Sequence, residues 1–321
     1  MEKVPKKVLM RWFRYILLFL GCYVLFFLMV FNYQDLETEI TKVASQQGAY
    51  LQFNDLSLGL FPTPSVQLKD LVVTLRQTPE IQMDEVVARP HIPSFLAFKQ
   101  GVSTDIKGFL GANIEAQLKQ TGVTEDNQPL FAFEADVSGL NIEEALSTFA
   151  PTLRLPLIAS GQINAVVKGS SPQQMDRNTE SEFSLTSNNV NLKNIVLDTP
   201  LGPLQMPDVK LSQLNLVGRL VNQELIIEES RIGGDGDLVR ARIKGQVPVD
   251  FGRRGPQLAG YNLKVEVRLS SQGVNEIKAR VGDVFGLLQP YQTAGGSAPT
   301  YTLNLQSSSM YRPPRINKTT F

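Results

Sequence analysis

The sequence is poor in the side chains that most enzymes use for catalysis. It has one histidine, His91, and one cysteine, Cys22, in 321 residues. Zinc sites of the usual kinds would need more His or Cys, and a Ser-His-Asp arrangement would have to use His91 alone. Because His91 stands in Arg-Pro-His-Ile-Pro, close to two prolines, the sequence favours a loop residue without a catalytic role.

Motifs for cofactors and metals are also missing. The chain has neither a phosphate-binding Gly-Lys loop nor a dinucleotide-binding glycine fingerprint. The Gly-Gly-Asp-Gly-Asp run at 233–237 is superficially like a calcium-binding repeat, but it occurs once and with the wrong Asp spacing, which favours a hairpin turn. The adjacent glutamates at 143–144 and 228–229 diverge in a strand or a helix, so neither pair forms an acid/base dyad. The sequence therefore predicts no enzyme, and no catalytic, cofactor-binding or metal-binding residues.

The charge balance excludes another class of partner. The chain has 31 Lys+Arg and 31 Asp+Glu; without the five basic residues and Glu2 that precede position 15, 26 basic and 30 acidic residues remain, a net charge of −4. A negative domain is poorly suited to the phosphate backbone, so nucleic acid is not expected as a partner.

The first part of the chain predicts a membrane anchor. Residues 1–14 are basic, and residues 15–31 follow without a single charge. A run of about 17 such residues is at the short end of what spans a bilayer as one helix. The anchor residues expected in this helix are Tyr15, Leu18, Leu20, Val24, Phe27 and Phe31.

The flanking charges predict the orientation of this helix. Basic residues precede it and Asp35, Glu37 and Glu39 follow, which places the N-terminus in the cytoplasm and the rest across the membrane. A secretory signal peptide is the alternative, but the apolar run is long, bulky to its end, and followed by no small residues for cleavage. Because Cys22 lies inside the run, the exported part has no disulfide and depends on its apolar core.

Most of the exported part has the period-two pattern of β-strands. Over residues 261–269, apolar positions alternate with polar or charged ones, which is typical of strands in antiparallel sheets. Weaker versions occur at 66–75, 161–168, 183–186, 189–197, 209–216, 225–228, 238–247 and 301–305. Asn, Gly and Pro clusters separate them, as hairpin turns require. The sequence thus predicts a mainly β fold.

Three amphipathic stretches predict short helices beside the sheet. One lies between Asp35 and Gly48, a second follows Asn141 as N-cap, and the third is an apolar stripe over 274–288. The expected organisation is a cytoplasmic tail at 1–14, a transmembrane helix at 15–31, a juxtamembrane helix at 32–48, a β-rich domain at 49–310 and a flexible C-terminal tail at 311–321.

Several segments of the sequence resemble known families. The anchor, the helix that ends near Gly48, and the strand, proline turn and strand of 51–74 are similar to the start of AsmA-like proteins. Further segments resemble the longer form of the type II secretion system protein N, the GspN family. They lie at 88–96, at 140–169, at 206–209 with the hairpins of 224–245, and at 301–306, which two prolines follow. Together these segments cover nearly the whole chain.

The resemblance implies a function and a location. It implies a non-enzymatic subunit of a type II secretion system in the cell inner membrane, with an elongated, curved antiparallel sheet in the periplasm. The implied partners are the inner membrane and other secretion-system subunits, with no nucleic acid and no small-molecule substrate. AsmA-like relatives imply an alternative, in which the apolar face of the sheet carries lipid acyl chains.

The two functions differ in what covers the apolar face of the strand at 261–269. Lipid carriage predicts that Leu263, Val265, Val267 and Leu269 line an exposed apolar groove. A structural subunit predicts that a second sheet, or the helix expected at 274–288, closes over these four residues. The sequence leaves this choice open.

Overall fold

The computed structural model describes most of the chain beyond residue 32. The described residues are 19, 33–46, 48–59, 63–75, 79–124, 127–153, 158–172, 178–194, 196–199, 202–205, 207–252, 255–296, 298–309 and 315–321. The chain divides into two compact units, residues 1–51 and residues 52–321. The residues expected to form the membrane anchor, Tyr15 to Phe31, lie outside the described residues except for Phe19, and no described helix has the length and apolar character needed to cross a bilayer.

Beyond residue 32, four α-helices are described. They are α1 (Tyr33–Gln46), α2 (Ile92–Leu96), α3 (Ile142–Leu153) and α4 (Ser271–Val281), and a 3-10 helix (Gly282–Tyr291) continues α4. Helix α3 begins where predicted, because the Asn141 side-chain oxygen accepts the N–H of Glu143 at 3.0 Å. The stripe at 274–288 was expected to form one helix. It changes to 3-10 geometry at Gly282, whose φ is +60°.

The rest of the described chain is mostly β-structure. The strands are β1 (Ala49–Gln52), β2 (Asp55–Gly59), β3 (Ser65–Leu75), β4 (Ile81–Pro90), β5 (Gly101–Phe109), β6 (Ala112–Val123), β7 (Pro129–Asn141), β8 (Ile158–Pro172), β9 (Glu180–Ser187), β10 (Val190–Lys193), β11 (Val196–Thr199), β12 (Gly202–Gln205), β13 (Val209–Leu211), β14 (Leu214–Val221), β15 (Glu224–Ile232), β16 (Val239–Gly252), β17 (Gly255–Leu258), β18 (Tyr261–Leu269), β19 (Gln292–Ala294), β20 (Thr300–Ser307) and β21 (Arg315–Lys318). The prediction of a mainly β fold is confirmed.

The strands of the second unit form one large antiparallel sheet. Its hydrogen-bonded order is β2 to β9 in sequence, then β14, β15, β16, β18, β20 and β21. Strand β10 pairs with the first residues of β8, β13 pairs with β10, and β11 and β12 form a separate hairpin. Nearly every connection therefore joins neighbours, as expected of a meander.

Some predicted boundaries differ from the structure. Strand β18 has the predicted limits, but the stretches at 189–197 and 209–216 are each divided between two strands. The first break follows Asn194, which has a φ of +52° and cannot continue a strand. The segment at 311–321 was expected to be a flexible tail. Its residues 315–318 instead form β21, which pairs with β20, and the Phe321 ring lies 4.3 Å from Lys244 Nζ.

One face of the sheet carries charged side chains in cross-strand pairs. Lys107 Nζ lies 2.8 Å from a Glu85 carboxylate oxygen, Lys168 Nζ 2.6 Å from Glu134, and an Arg89 guanidinium nitrogen 3.2 Å from Asp105. Opposite charges that face each other on neighbouring strands support the register of the sheet. This face is the solvated one.

Helices cover the other face of the sheet in two places. Helix α3 contributes Ile142 to a buried cluster with Ala159, Val190, Val209 and Leu211. Helix α4 contributes Ile277 to a second buried cluster with Leu269 and Tyr301. These clusters are closed apolar cores at α3 and at the β18–β20 part of the sheet.

Candidate functional site

The apolar face has a different character across β4 to β7. Cross-strand register aligns four small side chains in one row, Ala88, Thr104, Ala116 and Ala135. Because the strands are about 4.8 Å apart, this row extends for about 14 Å across the sheet. We call this row the floor.

Larger side chains flank the floor on both sides. Two residues further along each strand, a first row contains Val86, Ile106, Ile114 and Val137, and on the opposite side a second row contains Val102, Leu118 and Phe133. A rise of about 3.4 Å per residue puts each row about 7 Å from the floor. The floor and its two flanking rows form an apolar groove that runs across the strands, and we keep the name groove for these eleven side chains.

None of the groove side chains belongs to either of the two buried clusters described above. These side chains are half-buried or exposed, and none is buried. Within the described part of the chain, β4 to β7 make extensive contacts only with neighbouring strands and with helices α2 and α3. Among the described residues of 52–321, α3 packs on β8 and on the β7 end beyond the groove, and no helix or second sheet lies over the groove itself.

Glycines lie beside two phenylalanine rings of the apolar face, one of them Phe133 of the second flanking row. The Phe133 ring lies across Gly169 of the neighbouring strand, where a Cβ would be only 2.6 Å from Cζ of the ring. The Phe183 ring lies in the same way across Gly218, with Cε1 at 2.6 Å from such a Cβ. Because glycine has no side chain, each ring can approach the backbone of the next strand closely.

The groove widens into a pocket of about 560 Å³ towards one end of strands β5 to β8. The pocket is lined by Gln100, Gly101, Val102, Leu118, Phe131, Phe133, Ser171 and Pro172. No lining side chain is charged, and the buried Ser171 hydroxyl already interacts with the Thr179 hydroxyl at 2.9 Å. A volume of this size is typical of ligand pockets, and the uncharged walls favour an apolar group.

Helix α2 is fixed beside the mouth of this pocket. A Cβ at Gly101 would be 2.8 Å from Ser94 Oγ and 2.9 Å from His91 Cβ, so the helix can approach β5 only because residue 101 is glycine. His91 is the N-cap of α2 and its Nδ1 lies 2.9 Å from Ser94 Oγ. Sequence reasoning placed His91 in a loop, and the structure gives it this capping position.

The four residues that the sequence singled out as a candidate groove lie on the same apolar face but in two environments. Leu269 is 4% exposed and is packed under α4, and half-buried Val267 packs against the same cluster, whereas Leu263 and Val265 are half-buried outside it. The helix expected to close the face therefore covers only one end of β18. The longer groove of β4 to β7 was missed, because its floor appears only when four strands are in register.

Among the described ranges, no three His, Cys, Asp or Glu side chains are grouped so that they could hold a metal ion. Comparisons of the chain with protein-family models, with curated proteins and with solved structures find no match.

Proposed function

We propose that this protein binds lipid acyl chains in its apolar groove, as a non-enzymatic protein of the cell envelope. The observation that carries the proposal is the uncovered row of small residues between two apolar rows on β4 to β7. Contiguous apolar surface on a soluble domain is unfavourable in water, so its retention points to a ligand or a partner.

The dimensions of the groove fit an acyl chain. The floor is about 14 Å long, and one leaflet of a bilayer has a hydrocarbon thickness of about 15 Å. An acyl chain along the floor would contact both flanking rows, and each buried CH₂ group contributes about 0.8 kcal/mol. Because neither the groove nor its pocket has a charged side chain, the ionised headgroup of a lipid would remain in water.

The setting we propose is the one that the sequence predicts. An anchor at 15–31 would hold the protein in the inner membrane with the sheet in the periplasm, as an elongated, curved sheet of the AsmA-like kind. Membership of the type II secretion system protein N family, and contacts with other subunits of that system, stay predictions. A lipid-binding sheet is compatible with such a subunit, so the two functions need separate measurements.

Lipid analysis of the purified full-length protein tests the proposal. The protein is extracted from membranes in mild detergent, and co-purified lipids are quantified by mass spectrometry. Ala116→Phe should reduce bound lipid strongly, because the ring fills the floor without removing any side chain that stabilises the sheet. Gln117→Phe is the matched control, since residue 117 is exposed on the opposite face of the same strand.

Each outcome has a defined meaning. Wild-type and Gln117→Phe protein with bound lipid, and Ala116→Phe protein without it, would support the proposal. Folded wild-type protein that carries no more lipid than an unrelated single-span membrane protein would refute it. Loss of secretion in Ala116→Phe with unchanged bound lipid would instead favour a subunit whose sheet binds proteins.

A further inference from the structure

The row of side chains that forms the floor continues onto both neighbouring strands. Val66 of β3 lies directly opposite Ala88, and Val167 of β8 lies directly opposite Ala135. Valine has the same branched shape as threonine, which the floor already contains at position 104. The row therefore extends from β3 to β8 without a large side chain, over about 24 Å at a strand spacing of about 4.8 Å. We call these six residues, from Val66 to Val167, the extended floor.

A phenylalanine interrupts this row on the next strand. Phe183 of β9 lies directly opposite Val167, so its side chain stands in line with the extended floor. Gly218 of β14 comes next in the row, and a Cβ built there would be 2.6 Å from both Cε1 and Cζ of the Phe183 ring. The ring therefore lies against the backbone of β14, in the place that a side chain of residue 218 would take. One ring thus fills the row at two successive strands.

Large side chains stand beside the ring on the same face. Leu185 follows Phe183 on β9, and Leu216 and Leu220 lie on either side of Gly218 on β14. The register of β9 with β14 is continuous over these residues, so all of them point to the apolar face. The barrier at β9 and β14 therefore extends across the width of the groove, and no row of small side chains passes around Phe183.

The length of the extended floor corresponds to a number of carbon atoms. C–C bonds of about 1.5 Å at angles of about 111° advance an extended acyl chain by about 1.25 Å per carbon. The extended floor thus accommodates about 19 carbons, and one strand spacing accommodates about 4. A longer chain has to bend out of the floor. Each CH₂ group that leaves apolar contact for water lowers the affinity about fourfold.

We propose that Phe183 is an end stop that sets the maximum length of the acyl chain in the groove. The ring closes the row where a chain on the extended floor would pass from β8 to β9. The ligand class that follows is a single straight acyl chain with up to about 19 carbons on the floor. This inference rests on the proposed function, because only a chain that lies along the floor meets the ring with its end.

Uptake of fatty acids by the full-length protein measures the length limit. Protein purified in mild detergent is stripped of lipid and incubated with an equimolar mixture of saturated straight-chain fatty acids, from about 10 to about 28 carbons long. After repurification, the bound fatty acids are quantified by mass spectrometry. The amount of each is divided by the amount that an unrelated single-span membrane protein carries after the same treatment. The length limit is the longest chain that is enriched over this reference.

Two substitutions should move the limit in opposite directions. Phe183→Ala removes the ring and opens the row as far as Gly218, two strands further, so the limit should rise by about 8 carbons. Val167→Phe puts a ring one strand earlier, so the limit should fall by about 4 carbons. Because Val167 is only half-buried and the substitution adds apolar volume, this second variant decides the question even where loss of the Phe183 ring prevents folding.

Matched controls separate the end stop from general effects of adding or removing a ring. Phe133→Ala removes a ring that lies over a glycine in the same way, but from the second flanking row. It should reduce the total amount of bound fatty acid and leave the length limit unchanged. Gln162→Phe adds a ring at an exposed position on the opposite face of β8 and should change neither quantity.

The failures of the two proposals can be distinguished in the same measurement. A limit that falls in Val167→Phe protein and rises in folded Phe183→Ala protein would support the end stop. An unchanged limit in Val167→Phe protein that still binds fatty acid would overturn the end stop and leave the groove function standing. The same holds for an equal shift in Phe133→Ala protein, or for wild-type uptake that does not decline with chain length. Wild-type protein that takes up no more of any chain than the reference would refute the groove function and the end stop together.

Discussion

Two aspartate substitutions on one face of β18 should have opposite outcomes. Leu269 is 4% exposed and packs with Ile277 and Tyr301 under α4. Val265 points from the same face, lies between Ile243 and Leu303 of the neighbouring strands, and is only half-buried. The same substitution therefore tests a closed core at position 269 and an uncovered face at position 265.

The expected costs differ by several kcal/mol. Leu269→Asp loses the burial of a leucine, about 2 kcal/mol, and leaves an unpaired carboxylate in a dry site, which costs about 3 kcal/mol or more. A sum near 5 kcal/mol equals the whole stability of a marginally stable domain. For Val265→Asp the carboxylate keeps contact with water, so the cost is limited to part of the burial of a valine, about 1 kcal/mol.

Membrane abundance and denaturant unfolding of the full-length protein measure the difference. Leu269→Asp protein should be nearly absent from membranes, and Val265→Asp protein should accumulate with a small decrease in the unfolding midpoint. Lys264→Asp is the control, because it puts the same side chain on the opposite, polar face, directly across from Lys244. Loss of Val265→Asp protein as complete as that of Leu269→Asp protein would refute an uncovered face. Stable Leu269→Asp protein would refute the packing of α4.

Two further predictions concern the groove and the polar face. Gly169→Ala places a methyl group against the Phe133 ring and the backbone of β9. It should destabilise the protein by about 1 to 3 kcal/mol and reduce the amount of bound lipid. Gly122→Ala is the control and should change neither quantity, because the space around its new methyl group is open. The hydrogen bond from Lys107 lowers the pKa of Glu85 below its ordinary value of 4.5. The contribution of this pair to the free energy of unfolding is therefore fully present above pH 4.5 and is lost as the pH falls below that value. Glu85→Gln protein should accordingly lose less stability than wild type between pH 6 and pH 3, measured by thermal unfolding. An equal loss in both proteins would contradict this reasoning.

The strands were predictable because their pattern is local. In β18 each apolar residue is followed by a polar one, and the observed strand has the predicted limits. The start of α3 was predictable for the same reason, since the cap at Asn141 acts within the next three residues. Antiparallel pairing followed from strands with one apolar face joined by short turns.

Features that depend on distant residues were not predictable from one sequence. The floor of the groove combines Ala88, Thr104, Ala116 and Ala135, which become neighbours only in one register of four strands. Strand β21 has four residues without clear alternation, so its own sequence does not indicate a strand. The segment is a strand because it pairs with β20. A shift of one residue in any pair would have moved a floor residue to the polar face.

The unequal covering of the sheet connects its stability with the proposed function. Closed cores at α3 and α4 stabilise β8, β18 and their neighbours, so the apolar face need not be buried everywhere for the domain to fold. Across β4 to β7 the sheet relies on backbone pairing and on charge pairs of its polar face, such as Glu85 with Lys107. Under the proposed function, the apolar face of this region would exchange water for an acyl chain. Because an acyl chain would bind the folded groove only, occupancy would add to the stability of β4 to β7, over which no described residue of 52–321 forms a second layer.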